Sequence, residues 1–101
     1  MRTLPVIITP LAQSDIEAIS DYIAQDNPAK ARAFARELID KCQSLSKNPA
    51  RYPLAERLPG NRVRKATHGN YLIFYLVYPD GVSIARVLHG ATDYEAKLGA
   101  S

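Results

Sequence analysis

The sequence predicts a two-layer α+β domain with the element order β-α-α-β-β-β, in which a helical hairpin packs on one face of a largely antiparallel sheet. Two stretches with helical apolar spacing each follow a helix-start signal, and a short connection joins them. A third stretch, residues 62–90, is rich in aromatic and β-branched residues. Because 101 residues have room for one modest core, we expect a single domain over residues 1–101.

The first strand and the first helix are predicted from local signals. Residues 4–8 are a short apolar run, and Thr9 and Pro10 then supply an N-cap residue and a first helical residue. Apolar residues follow at intervals of four, three and four positions, which form one stripe of an amphipathic helix. This helix is predicted to end near Gln25.

The second helix is predicted to run from Asn27-Pro28, which repeats the start signal, to about Leu45. Cys42 lies on its apolar stripe, so its thiol is expected to be buried and inert. The short connection makes the two helices an antiparallel hairpin. Residues 48–60 contain three prolines and predict an ordered, non-helical crossover to the sheet.

Three strands joined by two tight turns are predicted over residues 62–90. Pro79-Asp80-Gly81 predicts a three-residue hairpin loop that places Tyr78 opposite Val82. On this register one face of the hairpin carries Leu72, Phe74, Leu76, Ile84, Arg86 and Leu88. The other face is also apolar, whereas a small antiparallel sheet usually packs one face and solvates the other. One face is therefore expected to need a cover.

The net charge of +3 comes from the second half of the chain. One glutamate accompanies five cations between residues 51 and 65, namely Arg51, Arg57, Arg62, Arg64 and Lys65. Such a patch suits an acidic partner, either a nucleic acid or an acidic protein segment, although a solvated cationic edge is the alternative. Strand alternation puts Arg62 and Arg64 on one face, where they either clamp a phosphate or carboxylate or discourage edge aggregation.

The sequence favours a binding surface over an active site. Arg86, within an apolar strand, must reach solvent, stack on a ring or pair with a carboxylate. His89 ends the last strand without a triad partner nearby, which favours a structural role over general base catalysis. Paired carboxylates, metal-ligand spacing and a glycine-rich phosphate loop are all missing, so we expect neither a metal nor a cofactor and favour binding over catalysis.

The expected location follows from features near the start of the chain and from cysteine usage. No charged-then-apolar leader follows Met1, and the longest apolar run is too short to cross a bilayer. The single cysteine excludes an internal disulfide. We therefore expect a cytoplasmic protein that does not associate with membranes.

Three segments, TPLAQSDIEAISDYIAQDNPAKARAF, GNYLIFYLV and VSIARVLHGATD, resemble the ParE toxins of bacterial type II toxin–antitoxin modules. The similarity runs from about Val6 to Asp93, and ParE belongs with the RelE-like toxins in one superfamily. The resemblance implies the β-α-α-β-β-β fold, inhibition of DNA gyrase and neutralisation by a ParD-like antitoxin. We expect no sequence-specific nucleic acid binding by the toxin alone.

The RelE-like branch of this superfamily supplies the alternative, a ribosome-dependent mRNA endonuclease. Its pattern has an arginine directly after the tyrosine of the GNY-like strand, where this chain has Leu72. It has another beyond the last strand, where this chain has residues 90–92, Gly-Ala-Thr. Arg62 and Arg64 do match basic positions of that branch. An inactive relative that only binds a partner is the third possibility.

The resemblance also implies which residues form the site. In the nuclease relatives the counterpart of Leu72 faces the open side of the sheet, so the whole set that shares its face should point away from the helices. The expected antitoxin-binding residues are Arg62, Arg64, Leu72, Phe74, Leu76, Ile84, Arg86 and Leu88. The possible target contacts are His89, Asp93 and Tyr94. An antitoxin segment with an apolar stripe and acidic flanks would fit this surface.

Overall fold

The computed structural model describes residues 3–55, 62–92 and 98. Its elements are β1 (Val6–Ile8), α1 (Pro10–Ala24), α2 (Pro28–Ser44), β2 (Arg64–His68), β3 (Tyr71–Tyr78) and β4 (Gly81–His89). The strands form one mixed sheet in the order β1-β4-β3-β2, with β1 parallel to β4 and the other pairs antiparallel. The predicted fold class is confirmed. The crossover was predicted to be non-helical, but its described part contains a 3₁₀ turn at Pro49–Arg51.

Both helices begin where the local signals predict. The Thr9 hydroxyl accepts a hydrogen bond from the Ala12 N–H at 3.2 Å, and the Asn27 side chain accepts one from the Lys30 N–H at 3.0 Å. Each cap satisfies a backbone donor that the first helical turn leaves unpaired. Among the described residues, neither helix combines the length and apolar composition needed to cross a membrane.

The main core lies between the helical hairpin and one face of the sheet. Its fully or nearly fully buried members are Ala12, Ile16, Leu38, Cys42, Leu45, Ala66, Ile73, Tyr75, Val82, Ile84 and Val87. Tyr75 remains compatible with this core because its hydroxyl donates a hydrogen bond to the Pro49 carbonyl. Burial raises the pKa of Tyr75 to about 12.

The register of the β3–β4 hairpin differs from the predicted one near the turn. Tyr78 pairs with Gly81 instead of Val82, so the loop has two residues and not three. Ala85 is then an extra residue on β4, because Phe74 pairs with Arg86 while the next residue, Tyr75, pairs with Ile84. The bulge restores the predicted pairs Phe74–Arg86 and Leu72–Leu88 farther along, but not Leu76–Ile84.

The sequence interpretation was therefore wrong about Ile84, which it placed on the face that carries Leu72 and Phe74. It pairs with Tyr75 and is completely buried in the core under the helices. Leu76 pairs instead with Ser83. A shift of one residue moves every side chain of a strand segment to the opposite face, and the bulge confines that shift to the turn end of β4.

Asp15 of α1 anchors β4 beyond the point where β1 ends. Its carboxylate accepts hydrogen bonds from Arg86 Nε at 2.7 Å and Arg86 Nη2 at 2.8 Å, and from the Val87 N–H at 2.9 Å. Just before this, Thr9 donates to the Ile84 carbonyl through its hydroxyl at 2.7 Å. The start of α1 thus takes over from β1 as the hydrogen-bonding neighbour of β4, and the hydrogen bond to Asp15 raises the pKa of Arg86.

We predict that Asp15→Ala lowers the free energy of unfolding by about 2–4 kcal/mol, because it leaves the half-buried Arg86 and the Val87 N–H without their acceptor. Urea unfolding measures this change. Glu17→Ala, which removes the same charge from an exposed position of the same helix, should change stability by no more than about 0.5 kcal/mol. Equal losses in the two variants would contradict the anchoring role.

A second prediction concerns Cys42, which is fully buried and whose pKa is raised by burial to about 11. The folded protein should resist a thiol-specific disulfide reagent at pH 8, whereas the chain unfolded in guanidinium should react at once. The unfolded thiol ionises near pH 9, so stability should fall as pH rises above that value and protons leave the unfolded state first. Immediate labelling of the folded protein would contradict this.

Candidate functional site

The sheet face away from the helical hairpin is only partly bare. Leu72, Phe74 and Leu88 point to this face, as predicted, and form a second small core with Ala55, Val63 and Leu98. Phe74 is completely buried and Leu88 is 7% exposed. The chain's own crossover and residue 98 therefore cover this half of the face, which the sequence interpretation left open.

The other half of the same face, near the hairpin turn, keeps apolar side chains exposed. Ile7 is 64% exposed and Tyr78 is 40% exposed, while Leu76, two residues before Tyr78 on β3, is half-buried. Ile7 and Leu76 both pair with Ser83, which places the two side chains on one row across the sheet. We call Ile7, Leu76 and Tyr78 the hairpin strip. An exposed apolar row of this kind indicates a partner-binding surface.

The predicted arginines are not brought together. Arg64 pairs with Tyr75, which puts it on the helix side of the sheet, where its Nη1 donates to the Tyr52 carbonyl at 2.7 Å. Arg86 belongs by register to the opposite face, but its guanidinium turns to Asp15. Arg62 is exposed, and its guanidinium carbon lies 5.9 Å from the centre of the Tyr78 ring. Of these three cations, Arg62 is the one that adjoins the hairpin strip.

The predicted target-contact residue His89 lies in a separate cleft of about 530 Å³ between α1 and the ends of β3 and β4. Its Nδ1 accepts a hydrogen bond from the Ala91 N–H at 3.0 Å, and its ring meets the edge of Tyr71 with the centroids 5.2 Å apart. Tyr22, which is 70% exposed, lines the same cleft. The other two predicted contacts, Asp93 and Tyr94, fall outside the described residues.

Several of the described titratable groups are engaged in structural contacts. The Asp15 carboxylate in the His89 cleft is occupied by Arg86 and the Val87 N–H. His68 Nε2 lies 3.2 Å from Glu37 Oε1 at the surface. Sequence reasoning missed the role of Asp15 because its partners are 71 and 72 positions away, and no local pattern signals such a contact.

The geometry defines a small two-layer α+β protein that keeps an exposed apolar strip and a flanking arginine on its sheet. The family model described as ParE toxin of type II toxin-antitoxin system, parDE, matches residues 6–94. The chain therefore belongs to the ParE toxin family of type II toxin–antitoxin systems, which confirms the resemblance found in the sequence.

Solved structures of toxin–antitoxin complexes share the fold. A chain of the chromosomal ParDE system from P. aeruginosa is 21% identical, with a TM-score of 0.74, and the match covers 86% of this chain and 96% of that one. A chain of the RelBE2 complex from Mycobacterium tuberculosis is 22% identical, with a TM-score of 0.65, and the match covers 91% and 97%. The search of curated proteins found no match.

Proposed function

We propose that this ParE-family toxin inhibits DNA gyrase and is neutralised by a ParD-like antitoxin that covers the hairpin strip. The observation that carries the antitoxin part is the hairpin strip on the sheet face opposite the helices, in which Ile7 and Tyr78 are exposed beside the half-buried Leu76. Membership of the ParE family supports the identity of the partner and of the target.

The chemistry of the strip supports an amphipathic antitoxin segment as its occupant. Covering these three apolar side chains contributes on the order of 5 kcal/mol before the costs of association. Arg62 beside Tyr78 adds a cation that an acidic residue of the partner can reach. The fitting antitoxin segment carries an apolar stripe with a carboxylate at its flank. Leu72, Phe74 and Leu88 lie in the covered half of the same sheet face, and their contribution would be to support the neighbouring hairpin strip.

Two positions on this face, one without an arginine and one whose arginine is paired, favour a gyrase target over cleavage of mRNA. A ribonuclease needs cations that stabilise developing charge on the phosphate and a group that moves the proton of the 2′-hydroxyl. Leu72 stands where the nuclease branch has an arginine, and the guanidinium of Arg86 is paired with Asp15. We place possible gyrase contacts at His89, Asp93 and Tyr94.

The antitoxin prediction is tested with Leu76→Glu and Ile7→Glu. Each puts a carboxylate in the hairpin strip, so we expect the affinity for the cognate antitoxin to fall at least tenfold, measured by calorimetry. Ala33→Glu, which adds the same charge to an exposed position of α2, should leave affinity unchanged. An unaltered affinity in both strip variants, with thermal unfolding like that of the parent protein, would rule out this docking surface.

The target prediction is tested by adding the purified toxin to two reactions. We expect loss of supercoiling by gyrase together with undiminished protein synthesis in a cell-free translation extract. Toxin preincubated with its antitoxin is the control and should spare gyrase. Inhibited translation with active gyrase would instead support the RelE-like alternative, and inhibition of neither would leave a partner-binding relative.

A further inference from the structure

Tyr52 lies at the centre of a cluster of three cations that come from different parts of the chain. Lys41 of α2 donates from Nζ to the Tyr52 hydroxyl at 2.6 Å. The Arg51 guanidinium carbon lies 4.9 Å from the centre of the Tyr52 ring, and Arg64 of β2 donates to the Tyr52 carbonyl at 2.7 Å. The hydrogen bond from Lys41 is the main cause of a lowered pKa of Tyr52.

The charge of this cluster is not balanced within the described chain. Neither the Arg86–Asp15 pair nor the His68–Glu37 pair involves it, and no carboxylate among residues 3–55 and 62–92 lies within ion-pair distance of Lys41, Arg51 or Arg64. Three like charges in contact with one residue repel one another, which costs free energy unless an anion is bound nearby.

The number of cations indicates the kind of anion. Within the same molecule, the carboxylate of Asp15 is satisfied by a single guanidinium together with one backbone N–H. Three cations around Tyr52 exceed what one carboxylate needs, whereas phosphate groups carry more charge and more acceptor oxygens. Arginine, lysine and tyrosine together are the side chains that commonly contact phosphate oxygens of nucleic acids.

We propose that Lys41, Arg51 and Arg64, arranged around Tyr52, form a phosphate-binding site for the backbone of a nucleic acid. The site lies on the helix side of the sheet and the hairpin strip on the other, so the two surfaces are open to different partners. Contacts to the backbone carry no sequence information, so this binding is independent of sequence. The site does not depend on gyrase being the target.

The test is the binding of a fluorescent 16-base-pair DNA duplex to the full-length protein, followed by anisotropy over a range of salt concentrations. Three phosphate contacts predict a slope of about −2.7 for log K against log salt concentration, and each of Lys41→Gln, Arg51→Gln and Arg64→Gln should reduce it by about 0.9. Lys30→Gln, about 16 Å along α2 from Lys41, removes the same charge and should leave the slope unchanged.

Competitors distinguish the sources of phosphate. Displacement of the duplex by AMP or inorganic phosphate at millimolar concentration would show that the site accepts an isolated phosphate group, and duplex binding without such competition would show that it needs consecutive phosphates. Either result supports a phosphate site. Arg51 is exposed, so we expect Arg51→Gln to change the unfolding temperature little, and comparing the thermal unfolding of variant and parent separates an effect on binding from an effect on folding.

Three results would overturn the proposal. One is an absence of duplex binding even at low salt. The second is duplex binding that Arg51→Gln does not weaken. The third is that an oligoglutamate peptide binds more tightly than the duplex and loses affinity in the same variants. This result would identify an acidic protein segment as the ligand.

Discussion

The hydrogen bonds that Asp15 accepts from Arg86 and Val87 determine how β4 lies in the sheet. β1 is short and pairs with β4 up to Ile84. Beyond that point the edge of β4 would present unpaired backbone groups, and a carboxylate from α1 satisfies one of them. The same carboxylate binds the guanidinium of Arg86, which by its register would otherwise lie on the sheet face away from the helices. Strand, helix and bulge are thereby kept in one arrangement.

This arrangement divides the far face of the sheet into a covered half and a bare half. The bulge at Ala85 sends Ile84 into the core and returns Arg86 and Leu88 to the far face. Phe74 and Leu88 are then covered by residues of the crossover and by Leu98. The hairpin strip has no such cover among the described residues, and this is why a partner is expected there and not at Phe74.

Local signals in the sequence were sufficient for the helices and for most of the strands. The helix-start signals at Thr9-Pro10 and Asn27-Pro28 involve contacts with residues only a few positions away, so both helix starts could be predicted. The hairpin loop could not, because a two-residue turn with a later bulge and a three-residue loop give the same pairs at Phe74 and Leu72. Alternation could not decide which face of β2 carries Arg64, because that depends on the register of β2 against β3, in which Arg64 pairs with Tyr75.

The candidate sites could be predicted only in part, because each also depends on contacts between distant parts of the sequence. Leu76 followed from strand alternation, whereas Ile7 and Tyr78 joined it only through the pairing of β1, β4 and β3. The Tyr52 cluster brings together residues from α2, the crossover and β2, and the charge count along the sequence contained Arg51 and Arg64 but not Lys41. Contacts over such separations depend on the packing of the whole fold.

The most direct measurement is hydroxyl-radical footprinting of the toxin with and without its antitoxin, read out by mass spectrometry at single residues. We expect oxidation of Ile7, Leu76 and Tyr78 to fall on binding, while Leu11 and Tyr22, which are 61% and 70% exposed on α1, react as before. Protection of Leu11 and Tyr22 with unchanged oxidation of the hairpin strip would contradict the assignment of the bare sheet face to the antitoxin.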